Sequence, residues 1–344
     1  MMKNLPKVDS SIGRLFKLPY EALKWELVKI ALELKIFNFL AEPSSSEEVS
    51  AKFSLHPANT EFFLNALAAL GLLVKENGKF SNSSLAKSFL CEGRDTSIGE
   101  SLLFMGSWVE PVLNGGIRER LHNGPPEKQD IGSEDIWEKG ARASLNFSRC
   151  GRAQRIAELV AALPEFPLFS KMLDLGAGPG IIGIAVAAAH PGLECVLWDQ
   201  AAVCKVADEV ITEYGMEDRV KTVKGDYMKD SLGTDFDFIM ANFTLNFYRD
   251  HLDGIMRKIF NALKPNGIFM VTSDGLSEDK TAPAASVISW LPTMLQGNDM
   301  SFETGIIARA MRDAGFVSTE QRTLTNIDLE AHGPVEVIIA RKSG

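Results

Sequence analysis

The sequence is short of basic charge, of cysteine and histidine, and of long apolar runs, and each shortage excludes something. Against 45 Asp and Glu stand 36 Lys and Arg, a formal charge of −9. A protein whose main partner is nucleic acid needs a basic face to neutralise phosphates, so that class is set aside. The four cysteines, Cys91, Cys150, Cys195 and Cys204, form no C-x-x-C pair and cluster with no histidine. They read as reduced core thiols, with no metal site and no disulfide framework expected. No window approaches the ~18 apolar residues that a membrane span requires. The opening M-M-K-N-L-P lacks the charged lead and apolar core of a secretory signal, so a cytoplasmic location is expected.

What is present is an ordinary globular composition, 45% hydrophobic and 24% charged, in a chain long enough for two domains. Within residues 19–40, Leu23, Leu27, Ile30, Ala31, Leu34 and Phe37 recur at helical spacing. Three serines follow Pro43, and Ser46 is the expected cap of a short helix ending near Phe53. A third helix is expected over 59–73, and Asn77-Gly78 then marks a tight hairpin. Three helices and a hairpin make the order of a winged helix, over residues 1–100. Its third helix, N-T-E-F-F-L-N-A-L-A-A-L-G-L-L, carries no Arg or Lys to donate to phosphates or base edges. That helix is built to be buried, so the module is expected to pack against another subunit or domain and not to read DNA.

Residues 101–163 read as connecting helices, broken at Gly115-Gly116 and at Gly124-Pro125-Pro126. Phe104, Met105, Trp108, Trp137, Asn146 and Phe147 are large residues that a small-molecule pocket could use. Any single aromatic here is as readily core, whereas a buried amide such as Asn146 needs a partner. From residue 164 to 344 strands alternate with helices, the pattern of an α/β domain with a parallel sheet. The strand candidates are 172–175, 195–198, 220–223, 237–241 and 268–272. A helix is expected over 301–314, then two strands at 317–324 and 335–340. The nine residues N-I-D-L-E-A-H-G-P set between these last two are too few for a crossover helix, so they should pair antiparallel at the sheet edge.

The stretch 171–183, K-M-L-D-L-G-A-G-P-G-I-I-G, joins a strand to a small-residue helix through a glycine turn. Gly176 and Gly178 let a ligand approach the backbone, and the helix start offers free N–H groups. A dinucleotide fingerprint would have a third glycine where this chain has Ile181. Asp174, two residues ahead of Gly176, adds negative charge beside the place of a pyrophosphate. It suits a ligand with an ammonium and hydroxyls, and S-adenosylmethionine has both and no phosphate. Asp199, ending the second strand, is placed to accept the ribose hydroxyls. Asp226, after the third strand, is placed to accept from the adenine amino group, with Tyr227 beside the ring. One such acid is a common turn residue; three on successive strands specify the ligand.

From about residue 20 onward the chain resembles the small-molecule O-methyltransferases that pair a winged-helix dimerisation module with a class I methyltransferase domain. The plant phenolic, hydroxyindole and bacterial polyketide enzymes belong to that group. The resemblance rests on L-K-I-F-N-F-L, L-A-A-L-G-L-L, L-D-L-G-A-G-P-G, W-D-Q, G-D-Y, A-L-K-P-N-G and D-A-G-F. It implies a Rossmann-like sheet of order 3-2-1-4-5-7-6 and a homodimer interlocked through the N-terminal module. It also implies S-adenosylmethionine as methyl donor, released as S-adenosylhomocysteine, with Gln200, Gly225 and Asn242 joining the three acids around it. A small-molecule acceptor would sit in a pocket lined by Met105, Trp108, Asn146 and Phe147, and by Trp290 and Met294 of V-I-S-W-L-P-T-M-L. Neither metal, nucleic acid nor membrane is implied.

The chain departs from the group at one telling place. Many members follow the fourth strand with L-H-D-W-x-D, whose histidine takes the proton of the substrate hydroxyl. Here the stretch is L-N-F-Y-R-D, and Asn246 stands at the base position. A neutral amide has no usable pKa near 7. Three readings follow: an acceptor already ionised, for which placement suffices; transfer to carbon, sulfur or nitrogen; or a protein that keeps the ligand and not the reaction. His56, His122, His190, His251 and His332 read as surface or turn histidines. Tyr248 could face the pocket, but an unperturbed phenol titrates too high for a ready base, at about 10. Asp274 and Glu303 both lie where the group has polar residues near the acceptor, with a first-turn acid behind a Ser301 cap the preferred reading of Glu303.

Overall fold

The computed structural model describes residues 10–113, 115–126, 133–325 and 333–344. His332 lies outside them. The described residues fall into two compact units, one ending at Leu103 and the other beginning at Phe104.

The first unit contains helices α1 (Leu18–Glu33), α2 (Ile36–Phe39), α3 (Ser46–Phe53), α4 (Pro57–Ala69) and α5 (Ser84–Phe89). With them goes a small sheet of β1 (Ser44–Ser45), β2 (Leu73–Glu76) and β3 (Lys79–Asn82) in the order β1-β3-β2. Lys35, in the left-handed region at φ 56°, separates the first two helices. The cap of α3 is Ser45, one residue before the expected Ser46. Its hydroxyl accepts from the Glu48 N–H at 3.3 Å while the Glu48 carboxylate accepts the Ser45 N–H at 2.7 Å. Ser45 has Glu48 three residues on, as the reciprocal pair requires, whereas three residues after Ser46 stands Val49. His56 caps α4 through Nδ1, with Pro57 at the first helical position. That helix ends at Ala69, short of the expected Leu73, because Gly71 at φ 76° turns the chain into β2. Asn77 and Gly78, at φ 50° and 78°, make the hairpin turn. Phe37, Leu40, Leu64, Leu67 and Phe80 form the core of this winged-helix unit and are fully buried or nearly so.

The helix α6 (Gly99–Val109) contains the division between the units. The second unit continues with α7 (Gly116–Asn123), α8 (Glu134–Phe147) and α9 (Ala153–Ala161), the last two joined by one wide helical turn at Ser148–Arg152. Then come β4 (Lys171–Leu175), α10 (Ile181–Ala188), β5 (Glu194–Asp199), α11 (Ala201–Glu213), β6 (Val220–Lys224) and β7 (Phe236–Asn242). They are followed by α12 (Leu252–Ala262), β8 (Leu263–Asp274), α13 (Ala284–Leu295), α14 (Ile306–Asp313), β9 (Ser318–Leu324) and β10 (Val335–Arg341). The seven strands lie in the order β6-β5-β4-β7-β8-β10-β9. Counting β4 as first, this is the expected 3-2-1-4-5-7-6. β4 to β8 run parallel to one another, and β10 is antiparallel to both β8 and β9.

Both faces of the sheet are covered at its centre, so β4, β7 and β10 read as largely apolar runs, whereas the edge strands β6 and β9 are mostly polar. In β4, Met172 joins the core formed with α9, α10 and α11, and the next residue, Leu173, joins the core formed with α12 and α14. Two expectations change. β8 starts five residues early and takes in K-P-N-G, with Asn266 at φ 62°. α14 begins at Ile306, with Gly305 at φ 87° before it, so Ser301 is no cap and Glu303 is outside the helix. Glu303 instead pairs with Leu276 in a short parallel bridge.

Candidate active site

Four parallel neighbours, β6, β5, β4 and β7, end on one edge, and that edge is where open α/β sheets receive ligands. The edge collects Asp226, Asp199, Asp174 with its glycine turn, and Asn242. Gly176 (φ 68°) and Gly178 (φ 56°) both require the conformation glycine tolerates. At Gly176 a Cβ would come within 2.0 Å of the Thr244 Oγ1, whereas at Gly178 it would meet nothing within 4 Å. The turn is thus packed on its inner side and open at Gly178.

Asp174 is 1% exposed, and neither carboxylate oxygen closes a well-formed hydrogen bond. Burial first, and the charge of Asp199 second, push it up to about 7; the Asn242 amide and the Gly183 N–H face it and partly counter the rise. Asn242 is oriented by the Thr272 hydroxyl, which donates to its Oδ1 at 2.9 Å. Its Nδ2 is left buried without a partner. A buried carboxylate this poorly satisfied makes a costly structural group but a good receptor for a cation. Asp199 accepts the Gly178 N–H and the Gln200 N–H, each at 2.8 Å, and burial raises it to about 6. Its remaining lone pairs suit a diol. These are the features that S-adenosylmethionine would use, and the residues fit it.

On the next strand, Asp226 is half-exposed. It accepts the Met228 N–H at 2.9 Å and pairs with Lys229 at 2.9 Å, which holds its carboxyl below the ordinary value. At Gly225 a Cβ would strike Asp230 at 2.7 Å and the Trp198 ring at 3.2 Å. Tyr227 is not open beside a ligand ring. It is 4% exposed, its ring meets Tyr248 edge-on at 4.7 Å, and its hydroxyl shares a 2.9 Å hydrogen bond with Thr244.

Thr244 introduces the tight turn Leu245–His251, which carries Asn246. Asn246 is 2% exposed, and its Nδ2 donates to the Met300 carbonyl at 2.8 Å and to Asp274 Oδ1 at 3.3 Å. The Trp290 indole N–H donates to the other oxygen of Asp274. Met300 is placed by its neighbours: Arg249 donates to the Ser301 carbonyl at 2.6 Å and pairs with Asp299 at 2.7 Å and Glu303 at 3.4 Å. Lys280 joins Glu303 at 2.7 Å. Glu303 therefore works as an anchor and not as a helix-start acid. Tyr248 is pushed further up by burial, out of reach of a base role.

Of the residues expected to line the acceptor pocket, Trp290 joins this cluster directly. Met105 is 41% exposed, and Trp108 packs on Phe104 at 6.0 Å. Asn146 accepts from Arg149 at 3.1 Å, and Phe147 lies under the Arg152 guanidinium at 4.5 Å. Met294 is half-buried on α13. His56 caps α4, His190 closes a turn through Gly192 and Pro167, and His122 and His251 are exposed. Among the described residues no group of three metal-ligating side chains occurs, and no helix is long and apolar enough to cross a membrane. The reading of single strands missed Thr244, Met300 and Arg249, whose partners lie far away in the chain.

Sheet order, glycine turn and strand-end acids define a class I S-adenosylmethionine-dependent methyltransferase. Comparison with known proteins carries this to the family. Residues 140–317 match the O-methyltransferase domain and residues 20–92 the O-methyltransferase dimerisation domain, so the chain belongs to the O-methyltransferase family. It is 26% identical to the N,N-dimethyltransferase OxyT of Streptomyces rimosus over 86% of this chain and 88% of that one. It is 25% identical to the tetracenomycin polyketide synthesis 8-O-methyl transferase TcmO of Streptomyces glaucescens, over 91% of each. The structure of human N-acetylserotonin methyltransferase in complex with S-adenosylmethionine shares the fold, with a TM-score of 0.81 at 20% identity, over 99% of this chain and 100% of that one.

The two raised carboxyls give cofactor binding a pH dependence with a definite sign. Asp174 and Asp199 titrate near 7 and 6 when folded, against about 3.9 unfolded. Between those values the folded state holds more protons, so their contribution to stability falls as pH rises through the window. Cofactor binding runs the other way, because it uses the ionised forms. The thermal shift given by S-adenosylhomocysteine should therefore shrink from pH 8 to pH 5.5, and an unchanged shift would contradict these assignments.

Proposed function

We propose that this methyltransferase acts on a small, largely apolar aromatic or polycyclic acceptor, with a hydroxyl oxygen as the leading target. On this reading it works by positioning and exclusion of water, without a protein base at the usual place. The observation that carries this is the state of Asn246. Both hydrogens of its amide point at oxygen acceptors, Met300 and Asp274, so the side chain is fixed and has no means of taking a proton. S-adenosylmethionine supplies an activated methyl on a sulfonium. The chain's part is to hold the donor by Asp174, Asp199 and Asp226, and to fix the acceptor's approach with the Asn246–Asp274–Trp290 cluster. The first unit, with its dimerisation-domain match, supports a homodimer.

Transfer to nitrogen is a second reading, favoured by the resemblance to an N,N-dimethyltransferase. Incubation with a panel of phenols, hydroxyquinones, polycyclic amines and tetrapyrroles should yield S-adenosylhomocysteine, and the methylated product identifies the atom. Turnover confined to amines would replace the hydroxyl reading. A cofactor-loaded protein inert across the whole panel would count against both.

A further inference from the structure

The segment after β6, G-D-Y-M-K-D, is closed around a single ammonium. Lys258, on α12 and about thirty residues away in the chain, donates to the carbonyls of Tyr227 at 3.1 Å, Met228 at 2.5 Å and Asp230 at 3.0 Å. An ammonium has three hydrogens, and here each has a backbone oxygen. The segment also ties itself together: the Asp226 N–H donates to Asp230 at 2.9 Å, and the N–H groups of Lys229 and Asp230 return to the Asp226 carbonyl.

One peptide group joins the two halves of this arrangement. The Tyr227 carbonyl that accepts from Lys258 and the Met228 N–H that donates to Asp226 Oδ1 belong to the same planar unit. A cation on its oxygen polarises that peptide and strengthens the hydrogen bond its N–H makes. It also forbids the rotation that would release the carboxylate. Lys258 thereby sets the direction and the grip of the bond that holds Asp226 Oδ1, while the exposed Lys229 pairs with Oδ2 at 2.9 Å.

We propose that Lys258 is a positioning residue for recognition of the cofactor's purine, acting through the Tyr227–Met228 peptide to hold Asp226 where it accepts from an exocyclic amino group. This rests on the placement of adenine at Asp226 in the reading above, and adds the residue that enforces it. An amino group donates to the carboxylate, while a purine with an oxo group at that position presents a second acceptor and is repelled. A rigid Asp226 therefore discriminates between the two, and a loose one turns away and does not.

The test is calorimetric binding of S-adenosylhomocysteine and S-inosylhomocysteine to the full chain. Wild type should prefer the adenosyl compound by tenfold or more, and Asp226→Ala should abolish the preference. Lys258→Met, which keeps most of the apolar stem, should cut the preference to threefold or less while the affinity for the inosyl compound changes less than twofold. Lys258→Arg, with charge and donors retained, should recover part of the preference. In the Asp226→Ala background, Lys258→Met should change nothing further. Equal weakening of both ligands by Lys258→Met, or no effect on the ratio, overturns the proposal and leaves the methyltransferase reading intact. Should Lys258→Met not fold, a Lys258→Arg ratio equal to wild type together with an Asp226→Ala ratio that is also unchanged overturns it. Failure of wild type to bind S-adenosylhomocysteine overturns that reading and this one together.

Discussion

Asp199→Ala is expected to weaken binding of S-adenosylmethionine about a hundredfold, with little change in the stability of the ligand-free protein. A hydrogen bond to a charged group contributes about 1.5–3 kcal/mol, and a ribose diol seated as proposed would make two to this carboxylate. Allowing for coupling between the two, a loss of about 3 kcal/mol corresponds to about a hundredfold in affinity. The small effect on the free protein is a cancellation. Asp199 accepts the Gly178 and Gln200 N–H groups, and alanine leaves both without that acceptor. Against this, keeping a buried carboxylate ionised above its folded value of about 6 is itself unfavourable, and alanine removes the need. Asp199→Asn should fall between, because one oxygen remains and the charge does not. Calorimetry and thermal melts on the same samples separate the effects, and wild-type affinity in Asp199→Ala would refute the placement of the ribose.

The placement of Asp174, Asp199 and Asp226 was legible in the sequence because each ends or follows a strand whose apolar run sets its boundary, and parallel neighbours bring strand ends together. The hairpin at Asn77-Gly78 was legible because few residue pairs accept two left-handed conformations in succession. What escaped depends on partners remote in the chain. Nothing in G-D-Y-M tells that Tyr227 turns inward to Thr244, since an aromatic after a strand serves a core as readily as a ligand. Nothing in L-N-F-Y-R-D tells that Arg249 reaches Ser301 and Asp299, or that this fixes the carbonyl facing Asn246. The misplaced helix start has the same cause. Ser301 followed by Phe302 and Glu303 carries the local signal of a cap, but pairing of Leu276 with Glu303 holds those residues extended. Local chemistry thus placed the strand-end acids, whereas the surroundings of Asn246 are set by contacts across some fifty residues.

Asn246→His should raise the rate with an ordinary phenol by about ten- to a hundredfold near neutral pH, toward the 10²–10⁴ range of a well-placed general base. The side chain's own surroundings support this. In asparagine and in histidine a nitrogen is bonded to Cγ, so the single Nδ1–H of an imidazole can take over one of the two donations that Nδ2 now makes, the one to Asp274, and gives up the one to Met300. The carboxylate of Asp274 is already steadied by the Trp290 indole N–H. It would fix the tautomer and stabilise the imidazolium formed when the ring takes a proton, the part an orienting acid plays beside a catalytic histidine. The gain should fade as pH falls below about 6.5, where imidazole is protonated, whereas Asn246 itself adds no such limb. Two controls separate base catalysis from repacking. A nitrophenol already ionised at the assay pH should gain little, because it has no proton to lose. The double substitution Asn246→His/Asp274→Asn should forfeit most of the gain, because the orienting charge is gone. Equal acceleration of both phenols, or a gain that survives loss of the Asp274 charge, would mean that the new ring acts by filling space and that proton removal does not limit the wild-type reaction.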